Sequence, residues 1–140
     1  MIWLSLACSS SNDLISVSPS EITWGEINFA EAKPEEGYNP TMLSILNEST
    51  QDVSLSVINF DWEHLCLQGY SQSSLIELPT LSENSSFVLQ PSVCNYLPEN
   101  GERDTEVSGS IELSVNAKRQ SFILEIPWQF VPVLDFQDSG

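Results

Sequence analysis

One histidine, three cysteines and an excess of carboxylates are the residues from which any chemistry would have to be built. His64 is the only imidazole, so a Ser-His-Asp or Cys-His site would have to use it, with Asp61, Glu63 or Cys66 nearby in sequence. No nucleophile elbow accompanies it, and a lone surface histidine is the simpler expectation. Carboxylates are plentiful enough for a glycosidase-like pair. They fall mostly at solvent-facing strand positions or in loops, where a solvated acidic face accounts for them. Glu99, Asn100, Glu102, Asp104 and Glu106 form the candidate calcium cluster, with a spacing that is not an EF-hand's. Neither Cys-x-x-Cys spacing nor Cys/His pairing at zinc-ligand distance occurs. The expectation is a protein with no catalytic residue, no metal site and no cofactor.

The cysteines point to a compartment. With Cys8 set aside, Cys66 and Cys94 are an even pair, and a disulfide between them requires an oxidising environment. Two buried thiols in a cytosolic protein are the alternative. Cys8 closes a short apolar run and opens a polar stretch, Ser9 to Asn12. Leu4, Leu6, Ala7 and Cys8 resemble the end of a bacterial lipoprotein signal peptide. That resemblance implies lipidation of Cys8, with residues 1–13 as residual signal and tether. Ser9 after the cysteine resembles the outer-membrane sorting pattern. The implied location is the bacterial envelope, as an outer-membrane lipoprotein touching the membrane through lipid alone. An ordinary buried or free Cys8 is the alternative. No stretch approaches the ~20 apolar residues of a membrane-spanning helix.

Twenty acidic residues stand against four basic ones, for a formal net charge of −16. Such a surface repels phosphate backbones. Lys33, Arg103, Lys118 and Arg119 are too few for a phosphate-tracking groove, so nucleic acid is not an expected partner. The acidic surface suits cations or basic partners, or simply solubility.

These residues must be positioned by strands. Val53, Leu55 and Val57 alternate with polar residues, as do Val107, Ile111, Leu113 and Val115, with Gly109 in the same register. Phe122, Leu124, Ile126, Trp128 and Phe130 take every second place. A strand buried on one face gives this pattern. Shorter candidates are residues 14–18, 22–29, 41–47, 74–78 and 85–90, separated by turn-forming groups, and residues 116–119 read as a hairpin connection. Pro127 predicts an edge or a bulge for the last strand. Eight or so short strands and no convincing amphipathic helix predict an all-β, immunoglobulin-like two-sheet sandwich of about seven to nine strands, covering residues 14–133. Residues 134–140 are expected to be a polar tail.

The order of elements resembles the choice-of-anchor D family and the related immunoglobulin-like domains of abnormal-spindle and major-sperm-protein type. The run from Ile15 to Glu26 is similar to their opening, with Trp24 where Phe is usual and Gly25 after it. Leu43 to Asn47 resembles their strand ending in Asn, and Val88 to Pro91 their strand closing on Pro. The resemblance implies a sandwich used for adhesion, scaffolding or assembly and brings no catalytic residues with it.

Sandwiches usually bind through loops, because their strand faces are committed to the core. The stretch 61–74 is the longest with weak alternation, yet it carries Trp62, His64 and Tyr70, which suit protein or carbohydrate binding if exposed. Packing over the end of the sandwich is the other reading of these rings. The expected function is protein binding or scaffolding; the alternative is a carbohydrate-binding module using Trp62 and Tyr70.

Overall fold

The computed structural model describes residues 10–11, 14–96 and 106–134. The strands are β1 (Ser10–Ser11), β2 (Ile15–Ser18), β3 (Ile22–Asn28), β4 (Leu43–Asn47), β5 (Ser54–Asn59), β6 (Leu65–Leu67), β7 (Ile76–Glu77), β8 (Ser86–Leu89), β9 (Pro91–Val93), β10 (Val107–Asn116) and β11 (Ser121–Val133). Among the described residues there is no helix. One sheet runs β1-β2-β4-β8 and the other β3-β11-β10-β5-β7, with β6 and β9 forming a separate ribbon. Among the described residues the two main sheets therefore hold nine strands, the upper end of the number expected.

Alternation does the building. On β10, Ile111, Leu113 and Val115 are buried, while Glu112, Ser114 and Asn116 keep contact with solvent. Residues 117–120 turn the chain into β11, closed by a hydrogen bond from the Ala117 amide to the Gln120 carbonyl at 2.8 Å. Ile126, Trp128 and Phe130 continue the buried face. Leu14, Ile15 and Val17 join that core beside β4 in the first sheet. The chain then crosses at Ser18–Glu21 and enters the second sheet as β3, parallel to β11.

Three features differ from the sequence reading. Ser10–Ser11, expected in a tether, pair with Val17 and Ser16. The strand holding Pro127 is interior rather than an edge, and its register is unbroken at that residue. Pro127 is tolerated because β3 begins to pair only at Trp128, so the ladder is one-sided where the N–H is missing. The stretch 61–74 contains a strand, β6, paired with β9. Three residues are too few to show periodicity by themselves. Cys8, the tail after Leu134 and the calcium candidates other than Glu106 lie outside the described residues.

Gly109 pairs directly with Trp128 across β10 and β11. A Cβ at Gly109 would come within 2.7 Å of the Trp128 ring, which is only 2 % exposed. Gly109→Ala is therefore expected to destabilise the domain by about 1–3 kcal/mol through overpacking. A thermal or urea midpoint equal to the wild type would show that the ring yields freely.

Candidate functional site

The site grows from one tight turn after β5. The Asp61 carboxylate accepts hydrogen bonds from the Glu63 amide (2.9 Å) and the His64 amide (3.1 Å) through one oxygen. Its other oxygen meets His64 Nδ1 at 2.9 Å. The Asp61 carbonyl accepts from the Leu65 amide at 3.0 Å, which brings the chain directly into β6. Short acidic side chains favour such self-capped turns, because they reach back to their own backbone.

The β6–β9 ribbon then fixes what the turn presents. Leu65 and Leu67 are buried, and Cys66 between them is bonded to Cys94 just after β9, with Cα atoms 5.7 Å apart. That separation lies inside the range an unforced disulfide uses. The His64 carbonyl accepts from the amides of Cys94 (2.7 Å) and Asn95 (3.1 Å). His64 is thus held at its backbone by the second cysteine's segment and at its ring by Asp61.

Aromatic rings pack behind it. The His64 ring lies 6.2 Å from Tyr96 at an interplanar angle of 30°, and edge-on to Phe130 at 6.2 Å. Phe29 links Tyr38 (5.1 Å) and Tyr96 (5.8 Å) to the same cluster. Burial, and secondly the Glu31 carboxylate, push the Tyr38 hydroxyl above its ordinary range. It therefore keeps its proton at neutral pH and donates to the Glu31 carbonyl at 2.8 Å. In front of these rings, Glu63, His64, Asn95 and Tyr96 line a cavity of about 430 Å³.

His64 is 21 % exposed at its side chain, and Glu63 reaches its free Nε2 at 3.7 Å with its own side chain 82 % exposed. The turn thus unites His64 with Asp61 and Glu63, and the ribbon adds Cys66 and Cys94. Both sulfurs are committed to the bridge, so neither is a thiolate nucleophile. Among the described residues no hydroxyl or thiol is hydrogen-bonded to the His64 ring, and no three His, Cys, Asp or Glu side chains are grouped to hold a metal ion.

Trp62 and Tyr70 are half-buried and packed against the core rather than displayed. Trp62 rests on Phe60, with centroids 4.5 Å apart, and its indole N–H donates to the Ser73 carbonyl at 3.0 Å. Among the described residues its ring contact is with Phe60, not with Tyr70. Asn95 and Tyr96 were not singled out in the sequence. Their signal was position, immediately after a cysteine whose bridge returns them to His64.

No protein-family model matches the chain, and no curated protein sequence does. Two of the solved structures it is similar to share its immunoglobulin-like sandwich, and that fold is the class to which the architecture belongs. One is the periplasmic chaperone SfaE, with a TM-score of 0.54 and 11 % identity, over 84 % of this chain and 57 % of that one. The chain thus spans little more than half the chaperone's length. Another is the ASH/PapD-like domain 7 of human CEP192, with a TM-score of 0.53 and 9 % identity, over 96 % and 97 % of the two chains. At these identities the likeness defines a fold and leaves the site to be argued from its own residues.

Proposed function

We propose that this chain is a non-catalytic module that docks a protein partner at the His64–Tyr96 end, held at the bacterial envelope by a lipid on Cys8. The observation that carries the docking reading is the cavity between Glu63, His64, Asn95 and Tyr96, whose rim is tied down by the adjacent disulfide. A rim ordered in advance loses less entropy when a partner binds. The disulfide also supports an exported location, since such bonds persist in oxidising compartments. The sequence resemblance to choice-of-anchor D domains and the fold shared with a periplasmic chaperone and an ASH domain agree with a binding role.

A photo-cross-linking residue at Asn95 should trap a discrete protein adduct in the native host. The same residue at Ser114, on the solvent face of β10, should not. Equal labelling from both positions would sink the docking site. Cys8→Ser, expressed with a complete signal, should move the protein to the soluble fraction; unchanged membrane association would rule out this anchor.

The second reading, a carbohydrate-binding module, draws on a groove of about 480 Å³ lined by Trp62, Asn59, Gln72 and Ser73 among others. It has less support, because the Trp62 N–H and one contact of its ring are already committed within the fold.

A further inference from the structure

We infer that the cavity beside His64 receives a basic side chain, an arginine in preference to a lysine, from an exposed segment of a different protein. The inference rests on the docking reading above and names the chemistry of the partner. Asp61 has only acceptors, so the His64 Nδ1 bonded to it at 2.9 Å carries the proton. The other ring nitrogen, Nε2, lies 3.7 Å from the Glu63 carboxylate, an exposed acceptor. Asn95 adds a carboxamide, whose oxygen can accept, and Tyr96 an aromatic ring. Among the described residues no Lys or Arg lines this cavity. A site rich in acceptors with an aromatic wall is complementary to a donor-rich cation. Guanidinium offers five donors in one plane and stacks on aromatic rings, which the compact ammonium of lysine does less well.

Charge decides between a foreign partner and a second copy. Each copy carries a formal −16, so two copies repel, whereas a basic partner is drawn in. The adjacent pair of cations Lys118 and Arg119 sits at the β10–β11 hairpin tip. The His64 and Tyr96 rings that line the cavity pack on Phe130, nine residues along β11 from Ser121, a separation on the order of 30 Å. The domain's own basic tip therefore cannot fill its own cavity.

The test uses the intact domain and capped pentapeptides of the form Gly-Ser-X-Ser-Gly, with X as Arg, Lys, Leu or Glu, followed by amide NMR shifts. The Arg peptide should shift His64, Asn95 and Tyr96 saturably, Lys less tightly and Glu not at all. Glu63→Gln, a change at an exposed side chain, should weaken the Arg peptide about tenfold, the loss of one charge-assisted contact. Raised salt should weaken it further. If Leu binds as well as Arg, or Glu63→Gln changes nothing, the basic-side-chain assignment falls while the docking site stands. If no peptide shifts these residues, both fall. If the same shifts appear on concentrating the protein alone and vanish in the Lys118→Glu/Arg119→Glu variant, the occupant is a second copy and the assignment to a foreign partner is overturned.

Discussion

Removing the Cys66–Cys94 bridge is expected to lower the unfolding free energy by about 3–4 kcal/mol, the largest single effect anticipated in this domain. The bridge spans 28 residues, so the unfolded chain loses the freedom of a medium-sized loop when it is closed. On the native side this end is also held by the buried Leu65, Leu67 and Val93 and by paired backbone hydrogen bonds between Tyr38 and Val93. The β6–β9 ribbon contributes three residue pairs and belongs to neither main sheet. The expected result is a urea midpoint that falls with reductant, and a Cys66→Ala/Cys94→Ala variant that matches the reduced wild type and ignores reductant. A loss below about 1 kcal/mol would mean that the ribbon holds without its covalent tie. The effect should be uneven as well. Amides of Cys94 and Asn95, which bond the His64 carbonyl, should exchange much faster after reduction, while those at the centre of β10 should change only with global stability.

Asn47→Ala is expected to cost about 2–4 kcal/mol, because a fully buried amide with every hydrogen-bonding position used cannot be removed neutrally. Its nitrogen donates to the carbonyls of Gln51 (2.7 Å) and Leu81 (2.9 Å). Its oxygen accepts from the amide (2.9 Å) and hydroxyl (2.8 Å) of Ser49. Leu81 is in turn bridged to Val53, which leads into β5. One side chain thus pins the turn leaving the first sheet to the segment that returns to it. Asn47→Asp keeps the shape and the two acceptor contacts but sets an oxygen against two carbonyls, so it should lose at least as much as Ala. Urea midpoints within experimental error of the wild type would show that the backbone holds these turns unaided.

How far the fold could be read depended on strand length. β10 and β11 announce themselves, because ten and thirteen residues give alternation room to repeat. β6, β7 and β9 have two or three residues each, and what makes them strands is a distant partner rather than a local pattern. Asn47 stood out in sequence only as the last residue of a strand; its clamp is made with Leu81, 34 positions away. The site was legible where residue types are rare. Cys66 and Cys94 were the one pair left for a disulfide, whereas His64, expected as a lone surface histidine, is drawn to them by hydrogen bonds from the Cys94 and Asn95 amides. Tyr96 and Asn95 carried no signal of their own, since their role comes from a crosslink that doubles the chain back. Trp62 was ambiguous for a physical reason: an indole has both an apolar body to bury and an N–H to satisfy, and here Phe60 and Ser73 take both.

β3 runs along the open border of the five-stranded sheet, and such a border is where two sheets from different molecules would fuse. Its ladder with β11 steps between Thr23 and Gly25, leaving Trp24 as an extra residue, with Gly25 at a φ of +73°. Trp24 turns inward and donates to the Asn39 carbonyl (2.9 Å) and the Thr41 hydroxyl (3.0 Å), which locks the step in place. An incoming flat strand would meet two or three aligned residues, then a break in spacing, then the exposed Glu26. Proteins crowded on a surface meet their neighbours far more often than proteins in dilute solution. Under the lipid anchorage proposed for Cys8, the kink would act as a guard against irreversible stacking, allowing dense packing side by side without growth of a shared sheet.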